Sequence, residues 1–216
     1  MSAMNTTMTL FYNAYSPNAR RALAVARYLN INIETQTVDC LKGAHKAPDY
    51  LAINPNGLVP TLKDGDFVLW ESNAICQYLA AKAGDTTLWP EDPQAQADVS
   101  RWQCWQLAHL GPATDVFAWE NFLKGLMGRG NPDTTALDKA TQDFMRYARV
   151  LDNQLASRPY ITGKELTIAD FSLASCFTLA EPSKLPFQSF PNIAGWLGRM
   201  NAIDAWKSTE PSFYAH

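Results

Sequence analysis

The hydrophobic period of this chain changes once, near residue 84, and that change limits what it can fold into. Before it, short alternating runs alternate with helical ones. Met8-Thr-Leu-Phe-Tyr12 reads as a strand, broken by Tyr15-Ser-Pro-Asn18. Pro17 suits the entry of a helix, where its missing N–H is not needed. The good helix formers from Ala19 to Leu29 continue it. Ile31 to Val38 alternates apolar and polar residues, a second strand. Strand, helix, strand over about thirty residues is a βαβ unit. Val59 to Leu62 and Phe67 to Trp70 then form a hairpin around Gly65-Asp66, and Ser72 opens a helix through Leu79.

Beyond this point the strand period disappears. Residues 84–92 are rich in Gly, Pro, Thr and Asp and read as a linker. Leu137, Ala140, Phe144, Tyr147, Leu151 and Leu155 recur at spacings of three and four, one face of a helix. Thr167 and Asp170 have capping-box spacing, with Asp in place of Glu, and Pro191 to Asn201 is a last helix. The fold class is α/β followed by all-α: βαβ-ββα over 1–83, the linker 84–92, and a helical bundle over 93–216.

Composition excludes several functions. The net charge is −3 with no basic segment, which argues against a nucleic-acid partner. The first seven residues lack a signal-peptide pattern, and no apolar run has the length of a membrane span. Cys40, Cys76, Cys104 and Cys176 are scattered, without C-x-x-C or metal-ligand spacing. This predicts reduced thiols, a cytoplasmic location and neither metal nor membrane association.

Two short elements carry chemistry. Glu71-Ser72 falls where a strand turns into a helix. Free N–H groups and the helix dipole make an anion site there, the Ser72 hydroxyl adds a donor, and Glu71 adds a negative charge beside it. A ligand with adjacent carboxylate and ammonium groups would satisfy both. Val59-Pro60 is a place where a cis peptide is permitted. A cis bond would leave the Val59 N–H and C=O free to pair with an extended peptide.

Asn54-Pro-Asn-Gly-Leu-Val-Pro60 and Glu71-Ser-Asn-Ala-Ile75 resemble the N-P-x-G-x-V-P and E-S-x-A-I elements of the glutathione S-transferase family, at the family spacing. The resemblance spans the chain in outline and is densest from Tyr12 to Leu79. It implies a thioredoxin-like first domain and a helical second one. Val59, before a cis Pro60, would pair with the cysteinyl part of glutathione, and Glu71 and Ser72 would hold its γ-glutamyl end. His45 and Lys46 match positions that reach the glycyl carboxylate in phi- and delta-like members. Ser16-Pro-Asn-Ala-Arg-Arg resembles the first helix start of serine-type members, so Ser16 would face the sulfur. Asn18, used in some bacterial members, and Tyr12, as in tyrosine-type classes, are the other candidates. Tyr15, Trp105 and His109 are candidates for the second-substrate pocket, against a core or interface role for the aromatic stripe from Trp102 to Trp119.

The resemblance implies a homodimeric transferase. Its glutathione thiolate attacks a small hydrophobic electrophile or reduces a peroxide, with glutathione as substrate and no metal or prosthetic group. No cysteine lies between Tyr12 and Asp39, which argues against members with a nucleophilic protein thiol. A disulfide reductase working without a protein cysteine and a non-catalytic glutathione-binding module are the alternatives. Leu58 stands where phi-like members often carry Gln.

Overall fold

The computed structural model describes residues 7–211. The first unit is a four-stranded mixed sheet in the order β2-β1-β3-β4. Strand β1 (Met8–Tyr12) lies inside it, parallel to β2 (Ile33–Thr37) and antiparallel to β3 (Thr61–Asp64). Parallel neighbours need a crossover, and α1 (Pro17–Tyr28) supplies it. β4 (Phe67–Trp70) closes the hairpin on β3, with Gly65 at φ +60° in its turn. Leu10 and Leu62, paired across β1 and β3, are fully buried. β2 is mostly exposed despite its alternation, because it is an edge strand.

Between β2 and β3 stands a short helix that hydrophobic period does not reveal, α2 (Pro48–Ile53). Six residues are too few to show a period, and only Tyr50 of the six is buried. α3 (Ser72–Ala83) follows β4 and runs a turn beyond Leu79, to a Gly84 C-cap at φ +68°. It packs on α1, and its Ile75, Cys76 and Leu79 are fully buried.

The second unit begins at Thr86, within the Gly/Pro-rich segment. Helical turns run without interruption from 93 to 126: α4 (Pro93–Trp105), a π-helical turn (Gln106–Leu110), α5 (Gly111–Ala118), a second π turn (Trp119–Leu123) and α6 (Lys124–Leu126). Pro112 has no N–H and its ring crowds the preceding turn. The π turn just before it absorbs that defect. The Gly111 N–H reaches the Gln106 carbonyl across this turn, so closely that a Cβ at Gly111 would lie 2.8 Å from that oxygen.

α7 (Thr134–Leu155) is capped by Asp133, whose Oδ1 accepts from the Thr135 and Ala136 N–H groups. Ala140, Phe144, Leu151 and Leu155 form its buried stripe, while Leu137 and Tyr147 are half-buried. α8 (Ile168–Ala174) is buried throughout, and α9 (Pro191–Asn201) contributes Ile193, Trp196 and Met200 to the core. None of the helices among the described residues is long and apolar enough to cross a membrane.

The helical unit ends at Ile203, short of the 93–216 span read from the sequence. α10 (Asp204–Lys207) belongs to the first unit and packs on α1. Two arginines of α1 hold it. The Arg20 guanidinium lies 3.9 Å from the Trp206 ring centroid and donates to the Trp206 carbonyl and Thr209 Oγ1. Arg27 donates to the carbonyl and hydroxyl of Ser208.

Asp170 organises the second unit. Its carboxylate is fully buried and accepts from the Thr167 N–H and Ile161 N–H, both at 2.9 Å, from Trp196 Nε1 at 3.0 Å and from Thr167 Oγ1. It therefore joins the start of α8, the preceding loop and α9. Burial pushes its pKa from 3.8 up to about 6, against the four hydrogen bonds that lower it. The native state then holds this proton more tightly than the unfolded chain, so the contribution to stability falls as pH rises from about 4 to 6. The Asp170→Asn variant lacks that titration. The stability difference between wild type and variant is predicted to shrink by about 3 kcal/mol across this window and to stay flat above it, measured by urea unfolding at stepped pH.

Candidate functional site

One cleft in the first unit gathers residues from three separate segments. It is lined by Asn18 of α1, by Asn54, Asn56, Leu58, Val59 and Pro60 of the loop before β3, and by Glu71 and Ser72 at the start of α3. Its cavity measures about 60 Å³.

The loop is built around Asn54, which is only 2% exposed. Its Nδ2 donates to the Leu58 carbonyl at 2.8 Å and to Thr61 Oγ1, while its Oδ1 accepts from the Asn56 N–H and side-chain amide. The Tyr50 hydroxyl also donates to the Leu58 carbonyl, at 2.7 Å. These bonds satisfy buried polar groups and fix the backbone leading into Val59. The Val59-Pro60 peptide is cis. Gly57 sits at φ +58°, and a Cβ there would meet the His45 carbonyl at 2.8 Å.

Glu71 has φ +72° and ψ +107°, an uncommon conformation for a residue with a side chain. Strain of this kind collects at functional sites, at a cost of about 1–3 kcal/mol. Glu71 is the N-cap residue of α3, yet its side chain makes no capping bond, so the first-turn N–H groups of α3 have no side-chain acceptor from the cap. Ser72 is buried and follows directly. Exposed carboxylate, hydroxyl and helix N-terminus therefore meet at one edge of the cleft.

The start of α1 contributes differently. Ser16 is its N-cap, and Ser16 Oγ accepts from the Ala19 N–H at 3.2 Å. That bond uses a lone pair and leaves the hydroxyl proton available to donate. Ser16 is not among the residues lining the cleft, whereas Asn18, two residues on, is. Arg21 of α1 joins this start to that of α3: it donates to Asn18 Oδ1 and, at 2.8 Å, to Asn73 Oδ1. Sequence pattern gives Asn54, Asn56 and Arg21 no role of their own. The Asn-Pro-Asn-Gly signal marked a turn but not the buried side chain that holds it.

The remaining sequence candidates lie apart from the cleft lining. Tyr12 ends β1, half-buried, and its carbonyl accepts from the Val38 N–H. Tyr15 is exposed. His45 and Lys46 occupy a single 3-10 turn (Ala44–Lys46), and Lys46 Nζ donates to the Asn56 carbonyl, behind a cleft residue. In the helical unit Trp105, His109 and Tyr147 form an aromatic group, with Tyr147 centroids 6.0 Å from Trp105 and 5.2 Å from His109. No cluster of three or more His, Cys, Asp or Glu side chains able to hold a metal occurs among the described residues. Cys76 is fully buried, with its thiol pushed up to about 12 by desolvation, and burial also raises Cys40.

Known proteins share both halves of this arrangement. Residues 6–81 match the family model for the glutathione S-transferase N-terminal domain, and residues 114–204 match that for its C-terminal domain. Human glutathione S-transferase theta-2B is 35% identical over 206 residues, covering 91% of this chain and 81% of the relative. Glutathione S-transferase 3 of Zea mays is 32% identical over 207 residues, covering 94% and 92%. Among solved structures, the glutathione-bound theta class transferase of the citrus canker pathogen Xanthomonas axonopodis pv. citri superposes with a TM-score of 0.85 at 29% identity, covering 95% of this chain and 97% of that one. Both domain models match and the relatives align along most of their length, so the chain belongs to the glutathione S-transferase family.

Proposed function

We propose that this protein is a glutathione transferase that holds the γ-glutamyl end of glutathione in the cleft at Glu71 and Ser72 and activates its thiol at the start of α1. The observation that carries this reading is the convergence of an exposed carboxylate, a hydroxyl and the N-terminus of α3 at one edge of a cleft. An α-amino-acid head group has the complementary pair of charges. The ammonium meets Glu71, and the carboxylate meets Ser72 and the α3 N-terminus. The Val59 backbone pairs with the cysteinyl part, and His45 and Lys46 receive the glycyl carboxylate.

The chemistry then requires little beyond thiol activation. A thiol of pKa ~8.5 is only a few per cent ionised at neutral pH. Lowering it by two units needs roughly 2.7 kcal/mol of differential stabilisation. A hydrogen bond to a charged group supplies ~1.5–3 kcal/mol. The Ser16 hydroxyl, with its proton free, is the first candidate donor. Asn18 is the second and Tyr12 the third. The nucleophile is the substrate's own sulfur, in keeping with the inert setting of Cys76. The rings of Trp105, His109 and Tyr147, tilted or edge-on to one another, offer apolar contacts to a hydrophobic electrophile. The four free cysteines fit a reducing cytoplasm. The exposed Phe67 and Trp70 of the edge strand β4 offer apolar surface to a second copy in a homodimer.

Titration of the bound glutathione thiol by ultraviolet absorbance tests activation. Wild type is predicted to lower the thiol pKa by about two units, and Ser16→Ala to raise it again by one to two. A bound thiol that titrates as in water contradicts the proposal. Ser16→Gly separates the two roles of Ser16, since Gly preserves most of the capping stability while removing the hydroxyl.

Glu71→Gly tests the strained cap. Gly accepts the positive φ, so the variant is predicted to be more stable in urea by about 1 kcal/mol. It is also predicted to bind glutathione ~10–100-fold more weakly by calorimetry, through loss of the carboxylate. Unchanged affinity removes Glu71 from the site.

A further inference from the structure

We propose that Arg21 is a positioning residue: it turns the side-chain amide of Asn18 so that the NH2 group, not the oxygen, is presented to the cleft. This rests on the proposed glutathione site and adds a residue that the resemblance did not assign.

Arg21 is 1% exposed, so its charge needs partners inside the fold. Two of them are amide oxygens, Asn18 Oδ1 and Asn73 Oδ1. A guanidinium has five donors and no acceptor. Each amide that meets it must therefore turn its oxygen inward. For Asn18 this leaves the Nδ2 group on the opposite side of the amide, and Asn18 lines the cleft with Val59, Glu71 and Ser72.

Spacing explains why Arg21 can do this. Asn18 and Arg21 are three residues apart on α1 and share a face. Asn73 is the second residue of α3, next to Ser72. One buried cation thus pins the first turns of both helices that meet at the cleft. Without it, the two orientations of the Asn18 amide differ little in energy. An Asn18 oxygen in the cleft would repel a thiolate or carboxylate, whereas an NH2 group donates to either. The substitution Asn18→Asp would have the repelling effect permanently, because its carboxylate would stay on Arg21 and offer only acceptors to the cleft.

The test is a double-mutant cycle read on the pKa of the bound glutathione thiol, using Asn18→Ala, Arg21→Met and the pair. The expected result is a rise of about one unit for each single variant and no further rise for the pair. Arg21→Lys keeps the charge and covers the case in which Arg21→Met does not fold. It is expected to raise the thiol pKa by less, and to have no effect once Asn18 is Ala. A wild-type thiol pKa that is depressed but unmoved by Arg21→Met or Arg21→Lys overturns the proposal. So do effects that add to those of Asn18→Ala, since a general loosening of the fold would act independently of Asn18. If the bound thiol in wild type titrates as in water, the activation reading fails and this proposal falls with it. That failure is visible in wild type alone.

Discussion

The site depends on a helix whose N-cap side chain does not cap it. α3 begins at Glu71, whose positive φ turns the chain abruptly from β4 into the helix and whose carboxylate makes no capping bond to the first-turn N–H groups. The positive end of the α3 dipole faces the cleft edge, and the same turn carries a negative charge there. α1 is built the opposite way. Its first turn is capped by Ser16, which anchors the helix and retains one proton to donate. Two helix starts, one capped by its own N-cap side chain and one not, thus serve the site by different chemistry.

Buried polar networks hold these starts in place. Asn54 and Tyr50 clamp the Leu58 carbonyl and thereby the backbone entering Val59-Pro60. Arg21 links α1 to α3. Such networks rigidify when every member is satisfied and are costly when one is lost. The second unit uses the same device at Asp170, with four donors on one buried carboxylate. There the network joins a loop and two helices of the helical unit, consistent with a role in folding.

Much of this was legible in the sequence wherever a period or a fixed spacing carried it. All four strands, the long helices and the capping pair Thr167-Asp170 follow from alternation, three-four spacing and turn residues. Five residues of the cleft lining, Asn18, Val59, Pro60, Glu71 and Ser72, were accessible through two motifs and a helix start. The rest lacked a local signal. α2 is too short to show a period. Pro112 marks a helix break in sequence, yet the helical run passes it by widening one turn. The return of α10 to α1 rests on Arg20 meeting Trp206 across 186 positions, which no window detects. Arg21 and Asn54 act through buried hydrogen bonds, and a polar side chain reads the same in sequence whether it is buried or solvated.

The central claim is that Glu71 and Ser72 recognise an α-amino-acid head group. The most direct measurement is calorimetric binding of glutathione and of its analogue lacking the α-ammonium group, to wild type and to Glu71→Gln. The account predicts that the analogue binds wild type at least ~10-fold more weakly than glutathione, and that this gap closes in Glu71→Gln. Equal affinity of the two ligands for wild type, or a gap that survives in the variant, would contradict it.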